Sequence, residues 1–291
     1  MPRVSRIQIA KPDIVGLFEK RGQKVYRGDE IAEILQRNRT NWRLTINQSL
    51  VGFIEFLVKR TALNTVKFES AEGPVIRYVW GKANEYELAL SLKSRSYLSH
   101  ATAVFLQGLT DQIPRKIYVN HEQGPKMTAK GELSQQGIDA AFRKPARVSN
   151  AVYHRPDVEV MLINGKYTGR LEVGAIKGPE DSELSVTKLE RTLIDITVRP
   201  VYAGGVVQVL EAFKAARSRM SVNVLLATLK RLDYLYPYHQ CIGFYMDRAG
   251  YEKERIEYVR KIPAKFKFYL ANEMGEIDYD SQWKLFFPKG M

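Results

Sequence analysis

Of the residues able to do chemistry, few stand at the spacings that chemistry requires. Asp157 and Glu159 flank a single valine on an apolar run, the arrangement of paired carboxylates that hold magnesium for phosphoryl transfer. Such sites also need a Gly-Ser turn on a preceding helix, and none precedes residue 157. Glu172 with Lys177 suggests a nuclease core, yet their spacing is wrong for a carboxylate–lysine pair on one strand. Ser99 and His100 are adjacent, which does not by itself place a hydroxyl on an imidazole, and no third partner is evident. His100 therefore reads as a structural residue at a helix start. His121, His154 and His239 lie far apart, with no ligand spacing. Cys241 is the only cysteine. It excludes an internal disulfide and any Cys-based zinc pattern, and it reads as a buried, inert thiol within an apolar helix. There is no Walker-type glycine loop. The expectation is a protein that is not an enzyme and uses no cofactor and no metal.

The cations tell more. The 291 residues carry 45 Lys/Arg against 32 Asp/Glu, a net charge of +13, which points to a polyanionic partner, most often nucleic acid. The excess is concentrated at the N-terminus: residues 1–81 hold 14 Lys/Arg against 8 Asp/Glu, and the remaining 210 hold 31 against 24. Arg37, Arg39 and Arg43 cluster in one polar stretch, followed by Asn41, Thr45, Asn47 and Gln48 in or beside it. Lys59 and Arg60 close the next apolar segment, and Lys67 and Arg77 fall on β-rich runs. Amides at a helix start can pair bidentately with adenine edges, while Lys and Arg neutralise phosphates.

The elements that must position these side chains follow from periodicity. Residues 11–22 predict a first helix with Ile14, Leu17 and Phe18 on one face. A second begins near Gly28-Asp29 and carries Ile31, Ile34 and Leu35 inward. Residues 45–60 show Leu50, Phe53, Ile54, Leu57 and Val58, the stripe of a third amphipathic helix. Trp42 is a packing residue under the turn before it, and Phe56 is an interface or second-core residue. Runs at 65–69 and 75–80, joined by Ala71-Glu72-Gly73-Pro74, predict a hairpin. Three helices and a hairpin are the order of a winged helix-turn-helix, in which the third helix enters the major groove and the hairpin touches the backbone. The predicted division is residues 1–81 for this DNA-binding domain, with a hinge at Gly81-Lys82, and 82–291 for a larger domain. The fold class is α+β.

In the larger domain, short helices are expected at 86–93, 101–107 and 133–143, and strands at 115–120, 147–153 and 158–163. Asn164-Gly165 is a hairpin signal, with 170–176 as the returning strand and 183–186 as one more short strand. Beyond about residue 186 helices dominate: 206–217, 222–232 and 238–248, with edge strands at 265–270 and 283–287. Residues 122–130 are polar, with Gly and Pro, and predict a disordered piece. No apolar run approaches the ~18–20 residues of a membrane span, and the N-terminus lacks a continuous apolar region before a cleavage site. No membrane contact and a cytoplasmic location are expected.

One stretch organises the rest, SVTKLERTLIDITVRPVYAGG at 185–205. Leu189, Leu193 and Ile196 form its apolar stripe, Ser185 or Thr187 with Glu190 suggests a capped start, and Pro200 and Gly204-Gly205 its exit. Arg191 and Asp195, four apart, can pair on the helix. LERTLIDITVRPVYAGG resembles the hallmark segment of AbiEi-type antitoxins of abortive-infection (phage-defence) systems. SYLSHATAVFLQGLTDQIPRKIYV at 96–119 is similar to that family's other common segment. The resemblance, mainly over 96–119 and 185–250, implies an antitoxin that represses its own operon by binding operator DNA and counters an AbiEii-like nucleotidyltransferase toxin. A polar partner surface would then be formed by Glu190, Arg191, Asp195, Arg199 and Tyr202. The alternatives are a plain winged-helix transcription factor whose larger domain senses a ligand or dimerises, and a nucleic-acid-processing enzyme.

Overall fold

The computed structural model describes residues 5–125 and 131–291. The part of the polar stretch 122–130 from 126 onward lies outside the described residues; its start, Glu122, ends a strand. The fold is mixed α+β and divides into two compact units. One is the chain up to Ser94 together with Val152–Glu159; the other is Arg95–Ala151 with Val160–Met291. The first unit therefore extends past residue 81 and takes back a later segment.

The chain begins with α1 (Arg6–Ile9), α2 (Lys11–Lys20), the short β1 (Val25–Tyr26), α3 (Gly28–Asn38) and α4 (Leu50–Arg60). Ile14, Phe18, Ile31, Ile34, Leu35, Phe53 and Leu57 are all buried in one core, as their helical spacing requires. Trp42 stacks on Phe53 with ring centroids 5.8 Å apart, and Phe56 packs against the edge of the same core. The third helix starts at Leu50 rather than at 45, because Ser49 caps it: its Oγ accepts from the Gly52 N–H at 3.1 Å. β2 (Leu63–Ser70) and β3 (Val75–Trp80) pair antiparallel through the expected turn, β1 joins the far side of β3, and α5 (Glu85–Leu90) follows.

In the second unit come β4 (Tyr97–Leu98), α6 (His100–Leu106), β5 (Lys116–Glu122) and α7 (Gln135–Phe142). The chain then returns to the first unit as β6 (Val152–Arg155), which pairs antiparallel with the end of β2. β7 (Val158–Gly165), β8 (Val173–Lys177) and β9 (Glu183–Thr187) follow. The second unit's strand order is β7-β5-β4-β9-β8, with β4 parallel to β9 and β8 antiparallel to it. The Asn164-Gly165 hairpin does not form: β8 pairs with β9, not with β7. Gly165 is a glycine for another reason, since a Cβ there would sit 2.4 Å from Asn120 Oδ1.

The helical half consists of α8 (Leu189–Val198), a 3-10 turn at Pro200–Ala203, α9 (Val206–Ala216), α10 (Val222–Leu232), α11 (Tyr238–Arg248) and α12 (Lys253–Arg260). Ser185 and Thr187 lie in β9, so neither caps α8; Lys188 occupies the N-cap position without a side-chain bond. Leu193, Ile194 and Ile196 of α8 pack with Phe213 of α9, Leu225 of α10 and Ile242, Phe244 and Tyr245 of α11 in one core. A small sheet, β10 (Phe268–Tyr269), β11 (Ile277–Asp280) and β12 (Leu285–Pro288), closes the chain. It is locked to α11 by Trp283, whose ring lies over Gly243 so closely that a Cβ would come within 2.2 Å of it.

Candidate functional site

In the first unit the residues expected to meet DNA surround the entry to α4. After α3 the chain makes a further turn that ends at Arg43. Trp42 N–H bonds Asn38 O, Arg43 N–H bonds Thr40 O, and Leu44 N–H reaches back to Arg39 O, each at 2.9 Å. This is a Schellman closure with a left-handed residue at its end and a buried Leu44 after it. Arg43 supplies that left-handed residue, at φ 51°, and its side chain is exposed. Arg39 braces the loop from within: its guanidinium donates to Thr45 O and to Gln48 O, the latter at 3.1 Å.

Exposed around this loop are Arg37, Asn41, Thr45 and Asn47, with Gln48 half-buried, and Lys59 and Arg60 are exposed at the far end of α4. Arg37 pairs with Glu33 at 3.2 Å; Arg43, Lys59 and Arg60 have no ion-pair partner among the described residues. On the hairpin, Lys67 is exposed and pairs with Glu69 at 2.7 Å. Arg77 corrects the expectation. It is 7% exposed and donates to the carbonyls of Ser91, Leu92 and Ile76, so it ties α5's exit to the sheet and presents nothing to a phosphate.

The five residues expected to form a partner surface are not one surface. Glu190 turns away from the others and accepts from the Ser221 N–H at 2.8 Å, at the start of α10. Arg191 and Asp195 do pair, at 2.8 Å, but both are buried, 3% and 6% exposed. Arg191 also donates to Leu171 O at 2.7 Å and lies 3.4 Å from the Tyr97 hydroxyl. That hydroxyl accepts from Asn120 and donates to Glu122 Oε1 at 3.0 Å. Arg199 is exposed and donates to Arg147 O at 2.9 Å, and the buried Tyr202 accepts from the Ser149 N–H at 2.8 Å.

Arg191, Asp195, Arg199 and Tyr202 instead share a cavity of about 740 Å³ in the second unit, with Arg147, Lys166, Asn120, Tyr234 and His100 also on its walls. His100, expected as a structural residue at a helix start, also faces this cavity. It opens α6 with a left-handed φ of 51°, and that backbone turns the ring so that Ser99 Oγ and His100 Nδ1 meet at 2.8 Å. Adjacency does place a hydroxyl on this imidazole. The ring sits edge-on to Tyr202, centroids 5.2 Å apart. Burial, with the charges of Arg191 and Arg199, lowers the imidazole's pKa to about 3, so it is neutral near pH 7. Nothing in the local sequence signals this; it needs α6 and α8 side by side.

The other candidates stay apart. Asp157 lies in an exposed turn before β7, Glu172 pairs with Lys188 at 3.1 Å, and Cys241 is fully buried with its thiol pKa pushed up by burial. Among the described residues no group of His, Cys, Asp and Glu is placed to hold a metal ion, and no helix is long and apolar enough to cross a membrane.

No protein-family profile matches the sequence, and no curated protein matches it. The fold is similar to the crystal structure of the RV2827C protein from Mycobacterium tuberculosis, with a TM-score of 0.57 and 14% identity, over 98% of this chain and 92% of that one. At that identity the likeness concerns the fold alone.

Proposed function

We propose that the protein is a non-enzymatic, DNA-binding antitoxin that represses its own operon and counters a nucleotidyltransferase toxin. The observation that carries the DNA half is the entry to α4. Arg43, Asn41 and Asn47 are exposed around it, and unpaired Lys59 and Arg60 lie at its other end. A helix flanked this way, with α2 and α3 before it and an antiparallel hairpin after it, suits a winged helix-turn-helix. In that reading α4 enters the major groove, the amides face base edges, and the free cations with Lys67 meet phosphates on either side. Arg39 then acts by holding the loop in shape.

The antitoxin half rests on the two segments similar to AbiEi-type proteins. They are far apart in sequence and meet in space. β4 of the first pairs with β9, Gln107 Nε2 donates to Thr187 O at 2.8 Å, and His100 packs on Tyr202. A segment pair that builds one packed unit supports reading the similarity as shared architecture. The test has two arms. Fluorescence anisotropy with the DNA upstream of the gene, over a series of salt concentrations, should give specific binding whose log–log slope becomes shallower by about 0.9 for each phosphate contact removed at Arg43, Lys59 or Arg60. Co-expression with an adjacent nucleotidyltransferase gene should restore growth. Binding without growth rescue would favour a second reading, a transcription factor whose larger domain senses a ligand, for which the cavity in the second unit speaks.

A further inference from the structure

We propose that the cavity beside α8 binds a small phosphate ester, its charge met by Arg147, Lys166 and Arg199. At about 740 Å³ the cavity falls within the roughly 300–1,000 Å³ of small-molecule sites. Its charge is out of balance. Asp195 is the one carboxylate among the lining residues, and it is taken up by Arg191 at 2.8 Å. Three cations remain. Lys166 Nζ donates to the carbonyls of Leu232 and Asp233, at 2.6 and 2.9 Å. Arg199 uses one nitrogen on Arg147 O, and the Arg147 side chain is exposed without a hydrogen bond among the described residues. Backbone carbonyls fix these groups in place but do not neutralise them.

Like charges on an ordinary surface spread into solvent. Here all three line one cavity, and a cleft lined by one sign of charge concentrates field lines and attracts an anion of two or three charges. Arginine's fork and lysine's point charge both suit phosphate oxygens. The rest of the lining argues for an ester over a bare ion: Val148, Ile163, Val198 and the rings of Tyr167 and Tyr234 offer apolar area, and Asn120 and Gln123 offer amides. His100 adds an uncharged ring held in a left-handed backbone conformation, of the kind that persists where the surroundings over-determine it and that clusters at ligand sites.

The experiment is calorimetric titration of the full chain at near-physiological salt with inorganic phosphate, pyrophosphate, AMP and adenosine. AMP and pyrophosphate should bind, inorganic phosphate more weakly, and adenosine not at all. Arg147→Glu, whose side chain supports no neighbour, should weaken AMP by at least about tenfold, the loss of one charged contact, with an unchanged melting temperature and unchanged DNA affinity. That last control separates this site from the α4 surface, so either proposal can fail alone. Absence of binding by every anionic probe, adenosine binding as tightly as AMP, or AMP binding unaffected by Arg147→Glu would each overturn the assignment.

Discussion

Replacing His100 by asparagine should make the second unit less sensitive to acid. In the folded chain the imidazole titrates at about 3, chiefly because it is buried and further because Arg191 and Arg199 are near; in the unfolded chain it titrates near 6.5. Between those values the unfolded state binds the extra proton, so stability rises with pH across this window and is lost as pH falls below about 6.5. From pH 7 to pH 5 the linkage costs about 2 kcal/mol. His239, lowered to about 4 by burial against a hydrogen bond that it donates to the Pro263 carbonyl, has the same sign and adds a similar loss of about 2 kcal/mol. The wild type should therefore lose about 4 kcal/mol over this range through the buried His100 and the half-buried His239, and His100→Asn about half as much. Asparagine tolerates the left-handed backbone at this position, so the variant tests charge rather than strain. Urea unfolding followed by tryptophan fluorescence at pH 7, 6 and 5 measures it, in a background where Trp42 and Trp80 are phenylalanine and Trp283 alone reports on the second unit. An identical loss in variant and wild type would refute the claim that His100 is neutral and dry.

Asp195→Ala should destabilise the second unit by about 3–5 kcal/mol, because it leaves the 3%-exposed Arg191 guanidinium without its counter-charge; Arg191→Met with Asp195→Leu should recover most of that. A loss under about 1 kcal/mol in the single variant, by the same urea titration, would show that the pair carries little. Arg43→Gly removes a non-glycine residue from φ 51°, so thermal unfolding of the first unit should be unchanged or slightly later, while the salt slope of DNA binding becomes shallower by about 0.9. An unchanged slope takes Arg43 off the phosphates. Arg77→Met should cost about 1–3 kcal/mol, since the Ser91 and Leu92 carbonyls lose their donor, yet leave the salt slope alone; a shallower slope would return Arg77 to the DNA surface.

How far the sequence could be read depended on whether a signal was local. α10 and α11 stand at the residues expected from their apolar stripes, 222–232 and 238–248, and β2 and β3 pair around the expected turn. α12 carries no stripe that a sequence can show, because its polar residues leave only Ile256 and Val259 buried. Arg77 failed on phase: along β3 it is Arg77 and Val79 that are buried while Ile76 is exposed, and alternation alone does not say which face is inside. Asn164-Gly165 failed because a glycine can answer to a close approach as well as to a turn. The cavity was legible only in part, as four of its residues in one segment; Arg147, Lys166 and His100 come from elsewhere in the chain, and only the fold gathers them.

The segment at 185–205 explains why that cavity is positive. Arg191, Asp195 and Arg199 follow one another at four-residue steps, which on a helix makes a single stripe. The stripe begins dry, with Arg191 and Asp195 both buried, and ends wet, with Arg199 exposed where Pro200 breaks the helix. Asp195 stands between two arginines, and the structure gives it to the upstream one, Nε to Oδ1 at 2.8 Å. Burial decides that choice, because an unpaired Arg191 would leave a charge in the core at a cost of several kcal/mol, whereas Arg199 keeps water. Arg199 consequently reaches the cavity with its charge unmatched, beside Arg147 and Lys166. The excess of positive charge there is thus a by-product of satisfying the core, fixed by one helix and its proline stop.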